Sequence, residues 1–226
     1  MKKTEENVRI KNGITELVFI LDRSGSMSGL EKDTVGGFNS MLKKQRNEKG
    51  SAFVTTVLFD DKIEFLHDRI EIKNVKPITE KEYFVRGCTA LIDAIGVSIK
   101  HISKIHKYAR REDVPEHTLF VITTDGMENA SRIYSSAEVK EMIEKMKEKY
   151  GWEFIFIGAN IDAVNVAAGI GIGADRAANY HADSRGTRVN YEAMSKAVFS
   201  MREAGAIPDN WKEEVDKDFA SRCKKP

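Results

Sequence analysis

The sequence predicts an α/β fold: a doubly wound, mostly parallel central sheet of about six strands, with one antiparallel edge strand and helices on both faces. Three observations carry this. Short apolar runs of strand length, ITELVFIL (14–21), TLFVIT (118–123) and EFIFI (153–157), recur along the chain and suit strands buried on both faces. Amphipathic stretches of helical period alternate with them. AFVTTVLF (52–59) and IEFLHDRIEI (63–72) are separated only by Asp60-Asp61-Lys62, a hairpin spacing that an antiparallel pair can use.

In chain order, the first strand leads through a loop into a helix over about 29–45, which carries Leu30, Val35, Phe38, Met41 and Leu42. The hairpin follows and leads to a sheet edge. After Gly87-Cys88-Thr89 comes a helix over about 90–108, with Leu91, Ile92, Ile95, Ile99 and Ile102 on one face. Between the next two strands, Ser135 and Glu138 fit a capping box, Val139, Met142, Ile143 and Met146 face inward, and Lys149-Tyr150-Gly151 ends the helix. A short helix (162–168) and a weak strand (177–181) follow. The last firm helix, 187–203, places Tyr191, Met194, Val198 and Met201 on one side.

A chain of 226 residues, 41% of them hydrophobic, is long enough for one well-buried domain and short for two. We expect a polar N-terminal extension (1–12), the domain itself (13–203) and a tail (204–226). Trp211, Val215 and Phe219 recur in the tail at four-residue steps, as in a short helix packed on the body; a docking segment for a partner is the alternative. The formal charge of +1 offers no basic footprint for nucleic acid. No stretch reaches the roughly 18 apolar residues of a membrane span, and the N-terminus has no apolar secretory core. Cys88 and Cys223 form no C-x-x-C pair, which suits a reducing compartment. A cytoplasmic protein is expected.

FILDRSGSM (19–27) puts Asp22 at the end of the first strand, with Ser24 and Ser26 on the loop that follows. Doubly wound sheets bind ligands outside the carboxyl ends of their strands. Thr89 opens the helix after the hairpin, and Asp125 in VITTDGMEN ends the strand expected beside the first. Three loops thus bring two carboxylates and three hydroxyls to one sheet edge. An all-oxygen set without His or Cys selects a hard cation of the Mg²⁺ type, with Mn²⁺ or Ca²⁺ as alternatives, over zinc or copper. Hydroxyl ligands neutralise less of the metal's charge than carboxylates do, leaving it receptive to one more anionic oxygen.

D-R-S-G-S-M, the later G-C-T-A-L-I-D-A and T-T-D-G resemble the metal ion-dependent adhesion site (MIDAS) of von Willebrand factor type A (vWA) domains. The resemblance spans roughly residues 13–202, includes Phe59-Asp60, and is similar to intracellular bacterial members of the tellurium-resistance type. It implies a Rossmann-like vWA fold. It also implies that Ser24, Ser26 and Thr89 bind metal directly, and that Asp22 and Asp125 do so directly or through water. The implied function is a divalent-metal-dependent, non-enzymatic module whose protein partner supplies an Asp or Glu. Cys88 departs from the pattern, since many relatives have a second Gly there; a buried, inert residue is the expectation.

Each residue also has an ordinary reading. Asp22 and Asp125 can cap helices or turns, and Ser24, Ser26 and Thr89 are common at such positions. Arg23 is expected to point to solvent, available to an acidic partner, and Glu128 and Asn129 to line the rim of the site. His101 and His106, five apart, are expected on a solvated basic helix end. Gly169-Ile170-Gly171-Ile172-Gly173 reads as a turn, because it follows a helix and lacks the phosphate-loop spacing. Two other functional classes stay open: a Mg²⁺-dependent phosphoryl-transfer enzyme with Asp22 as nucleophile, and a structural subunit of a larger ATPase- or kinase-associated complex.

Overall fold

The computed structural model describes residues 12–223. The predicted N-terminal extension therefore lies outside the described residues except for Asn12, whose side-chain amide donates to the carbonyls of Glu112 and Val114.

Six strands form one sheet in the order β3-β2-β1-β4-β5-β6. They are β1 (Ile14–Asp22), β2 (Ser51–Phe59), β3 (Ile63–Glu71), β4 (His117–Thr124), β5 (Glu153–Ala159) and β6 (Ala177–Tyr180). All neighbouring pairs are parallel except β2–β3, the hairpin read from the spacing of residues 52–72. The β2–β3 register shifts on both sides of Thr56, and Arg69 on β3 takes a left-handed φ of 51°.

The helices are α1 (Glu31–Arg46), α2 (Leu91–Tyr108), α3 (Ser136–Tyr150), α4 (Ala163–Gly169), α5 (Ser184–Ala204) and α6 (Glu213–Arg222). The apolar runs of β1, β4 and β5 are continuous because both of their faces are covered. Leu17, Phe19, Leu21, Leu119, Val121, Ile155 and Ile157 pack with α1 and α5 on one face. Val18, Ile20, Phe120, Ile122, Phe154 and Phe156 pack with α2, α3 and α4 on the other. The capping box of Ser135 and Glu138 is formed, and Gly151 ends α3 at a left-handed φ of 60°, a conformation that suits glycine.

In the tail, Trp211 and Val215 are buried in the α1/α5 core, while Phe219 is half-buried and stacks on His181. The Trp211 indole donates to the carbonyl of Asp175, and the Lys212 ammonium to those of Ala174 and Ala177. Gly169 ends α4, and a turn at 170–171 leads to Gly173, with Ile170 and Ile172 buried beneath it. The two helix-end histidines are less solvated than expected. His106 lies 3.3 Å from the buried carboxylate of Glu16, and His101 2.8 Å from Asp68; both partners come from strands that the sequence places far away. Among the described residues no helix is long and apolar enough to cross a membrane.

Candidate metal centre

β1 and β4 are adjacent and parallel, so Asp22 and Asp125 emerge from the same edge of the sheet. The Asp22 carboxylate is buried and bonded at both oxygens: Oδ1 accepts from the Ser24 amide at 2.7 Å, and Oδ2 from the Thr124 hydroxyl at 2.6 Å. The Tyr83 hydroxyl donates to the Asp22 carbonyl. Burial raises the Asp22 carboxyl above its ordinary value, opposed by the Thr124 and Ser24 bonds. The first bond folds the loop back into a tight turn and orients Ser24.

The Ser24 hydroxyl lies 3.0 Å from that of Ser26, and the Thr89 hydroxyl donates to Ser24 at 3.0 Å. Three loops meet here. The Gly25 amide donates to the Gly87 carbonyl, tying the first loop to the one before α2. Gly87 has a φ of 68°, and a Cβ there would lie 2.3 Å from Asp61 Oδ1. The loop after β4 closes the third side: a Cβ on Gly126 would lie 2.8 Å from Ser26 Oγ and 3.3 Å from Thr89 Oγ1. Only a residue without a side chain lets that backbone approach the hydroxyls so closely.

Asp125 is 1% exposed, and neither of its carboxylate oxygens has a hydrogen-bond partner. Burial pushes its carboxyl up to about 6, the Asp22 charge adds to the rise, and the nearby Ser26 hydroxyl opposes it. A buried carboxylate with so few donors is costly, and a cation is one group that would relieve it. Among the described residues no three His, Cys, Asp or Glu side chains cluster to hold a metal. A cation at this edge would be held by hydroxyls with the two aspartates, a hard all-oxygen set that fits Mg²⁺. Ser24 and Thr89 are buried, while Gly25, Ser26, Gly87 and Cys88 face solvent, so the cluster opens outward on one side.

The structure thus brings together all five residues proposed from the motif spacing: Asp22, Ser24, Ser26, Thr89 and Asp125. It corrects the expectations for their neighbours. Arg23 is fully buried rather than solvent-facing. Its Nε donates to Asp60 at 2.8 Å, and its guanidinium also pairs with Glu64 at 2.9 Å. Asp60 further accepts from Arg86 and from the Lys62 amide, and its carboxyl is held below the ordinary range by these bonds despite its burial. Cys88, expected to be buried, is exposed and directly follows the left-handed Gly87, on a surface loop whose side chains need not pack inward.

Glu128 turns inward instead of lining the rim, accepting from the amides of Ile92, Ala130 and Ser131. Asn129 pins Thr89: its Oδ1 accepts from the Thr89 amide, and its own amide donates to the Thr89 carbonyl. Thr124, Tyr83 and Asp93 were missed by sequence reasoning. The double threonine before Asp125 was the only local signal for Thr124. Asp93 looks like an ordinary first-turn helix residue, yet it accepts from the amides of Arg132, Ile133 and Tyr134.

No family model matches the sequence, and no curated protein matches it. Solved structures do. They include a von Willebrand factor type A protein from Catenulispora acidiphila (14% identity, 82% of this chain and 42% of that one, TM-score 0.57). Proximal thread matrix protein 1 of the mussel byssus, with a zinc-occupied MIDAS motif, matches at 15% identity over 83% of this chain and 46% of that one, TM-score 0.57. The vWF domain of the type V pili tip protein Mfa5 from Porphyromonas gingivalis matches at 9% identity over 86% of this chain and 98% of that one, TM-score 0.59. The chain spans less than half the length of the first two. At such identities the likeness carries the fold alone, and that fold is the Rossmann-like α/β architecture of von Willebrand factor type A domains.

Proposed function

We propose that this chain is a divalent-metal-dependent protein-interaction module. Mg²⁺ would be held by the hydroxyls of Ser24, Ser26 and Thr89, with Asp22 and Asp125 acting directly or through water. When bound, the metal would supply an electrophilic centre for one incoming oxygen, which an Asp or Glu of the partner would provide. The observation that carries this reading is the buried, under-bonded carboxylate of Asp125 beside three clustered hydroxyls on an edge open to solvent. The zinc in the MIDAS motif of the mussel thread protein supports a divalent metal at such an edge.

The module is read as non-enzymatic. Both oxygens of Asp22 already accept hydrogen bonds, which favours an orienting role over that of a phosphoryl-accepting nucleophile. Two free thiols, both exposed, agree with the proposed cytoplasmic setting.

The test is calorimetric titration of Mg²⁺ and Mn²⁺ into wild type, Ser26→Ala and Asp125→Asn, followed by partner capture in metal and in chelator. Saturable binding to wild type, weakened at least tenfold in both variants and required for capture, is expected. Equal capture in all arms, or phosphate incorporated at Asp22, overturns the reading.

A further inference from the structure

α1 and α5 pack side by side, and Gly37 sets how closely they approach: a Cβ there would lie 2.3 Å from the Tyr191 ring. Gly36, next to it, has no such reason. It takes ordinary helical geometry, it is exposed, and a Cβ there would meet nothing within 4 Å. Glycine is unfavourable inside a helix, and what Gly36 preserves is open space.

That space belongs to a cavity of about 600 Å³ between the two helices, a size common among small-molecule sites. None of the five metal-edge residues lines it. Along its α1 wall Lys32, Gly36, Ser40 and Lys44 recur at every fourth position, so that two lysines frame two small residues on one face. The Cα atoms of the two lysines are about 18 Å apart along the helix. The α5 wall contributes Arg185, Arg188 and Glu192. At one end the Ser184 hydroxyl donates to Asp33 at 2.6 Å and stitches the helices together. Arg185 is already paired with Asp218 at 2.7 Å. The charged ends of Lys32, Lys44 and Arg188 have no partner among the described residues.

We propose that this cavity binds a small phosphoanhydride, an unbranched chain of linked phosphates with charge distributed along its length. The lining sets four cations against two carboxylates, Asp33 and Glu192, so the groove is electropositive. Three free cations spread along it match several negative groups in a row better than a single one, and the floor of Gly36 and Ser40 admits a slender chain. Arg188 can hold a phosphate through two parallel N–H donors, while Lys32 and Lys44 act as point charges. The inference is independent of the reading of the metal edge.

The test is calorimetric titration of inorganic triphosphate into wild type, a Lys32→Gln/Arg188→Gln double variant and Gly36→Leu, all in chelator so that no divalent metal bridges ligand and protein. Wild type should bind saturably, more weakly as salt is raised. The double variant should bind at least tenfold more weakly. Gly36→Leu should lose at least tenfold as well, yet melt at or above the wild-type temperature, because leucine favours the helix and its Cβ meets no other atom. That combination separates a filled cavity from a damaged fold. No saturable binding to wild type, binding that survives either variant, or equal affinity for tetra-aspartate overturns the inference and leaves the metal edge's role untouched.

Discussion

Asp60 and Asp125 are both buried carboxylates at the same edge of one sheet, and the protein treats them in opposite ways. Asp60 is surrounded by donors from Arg23, Arg86 and the Lys62 amide. Asp125 has none. A charge that the fold has already neutralised holds loops together; one left bare is a demand for something from outside the chain. Asp60 also ties the hairpin turn to the segment before α2, since its carbonyl accepts from the Ala90 amide. The satisfied aspartate builds the frame in which the unsatisfied one is held.

The contrast breaks most sharply at Asp60→Ala. Removing this carboxylate leaves Arg23, whose side chain is 1% exposed, buried with only the half-exposed Glu64 as counter-charge. A loss of about 3–5 kcal/mol is expected in denaturant unfolding. Asp125→Asn should leave the metal-free protein as stable as wild type or more so, while abolishing the gain from metal. At about one hundred times its Kd, Mg²⁺ adds roughly 2.7 kcal/mol to wild type, and comparing Tm with and without Mg²⁺ checks the difference.

The two carboxylates should also respond to pH with opposite sign. Asp125 titrates at about 6 when folded against an ordinary 3.8, so its contribution is present below 3.8 and lost as pH rises through about 6. Asp60 is lowered from 3.8, so its contribution is present above 3.8 and lost as pH falls through its lower folded value. Metal-free wild type should therefore lose Tm relative to Asp125→Asn between pH 4.5 and 7. Over the same range its Mg²⁺-induced gain should grow, because proton and metal compete for one carboxylate. The smallest effect serves as a control away from both groups: Ser135→Ala removes the α3 cap, costs about 1 kcal/mol, and should leave the Mg²⁺ response unchanged.

The same comparison explains what could be read from the chain before its fold was known. Asp22, Ser24, Ser26 and Asp125 stand at strand ends or on the loops beside them, and Thr89 just before a helix, where a period of apolar residues stops or starts, so the pattern points them toward one edge. β1, β4 and β5 were legible because strands covered on both faces read as unbroken apolar runs. The surroundings of Asp60 were not. Arg23 lies in a polar loop and would ordinarily be solvated; its burial follows from a partner 37 residues away, brought near by β1–β2 pairing. Asp93 likewise acts on amides about 40 residues further along. Hydrogen bonds of that range leave no local period. The exposure of Cys88 was hidden for a related reason, because the left-handed turn at Gly87 beside it, where Asp61 leaves no room for a Cβ, is set by residues far away in sequence.

The two ends of the sheet are finished by different devices. At one, β3 carries a left-handed Arg69 and an interrupted register with β2; at the other, the Lys212 ammonium occupies the carbonyl of Ala177 at the start of β6, with α6 packed alongside. A flat, unguarded outer strand is a template on which another chain can crystallise as a seventh strand. Here the twist at one margin and the lysine latch at the other leave little straight backbone to copy, so the same six-stranded sheet that gathers the metal edge resists growing into a polymer.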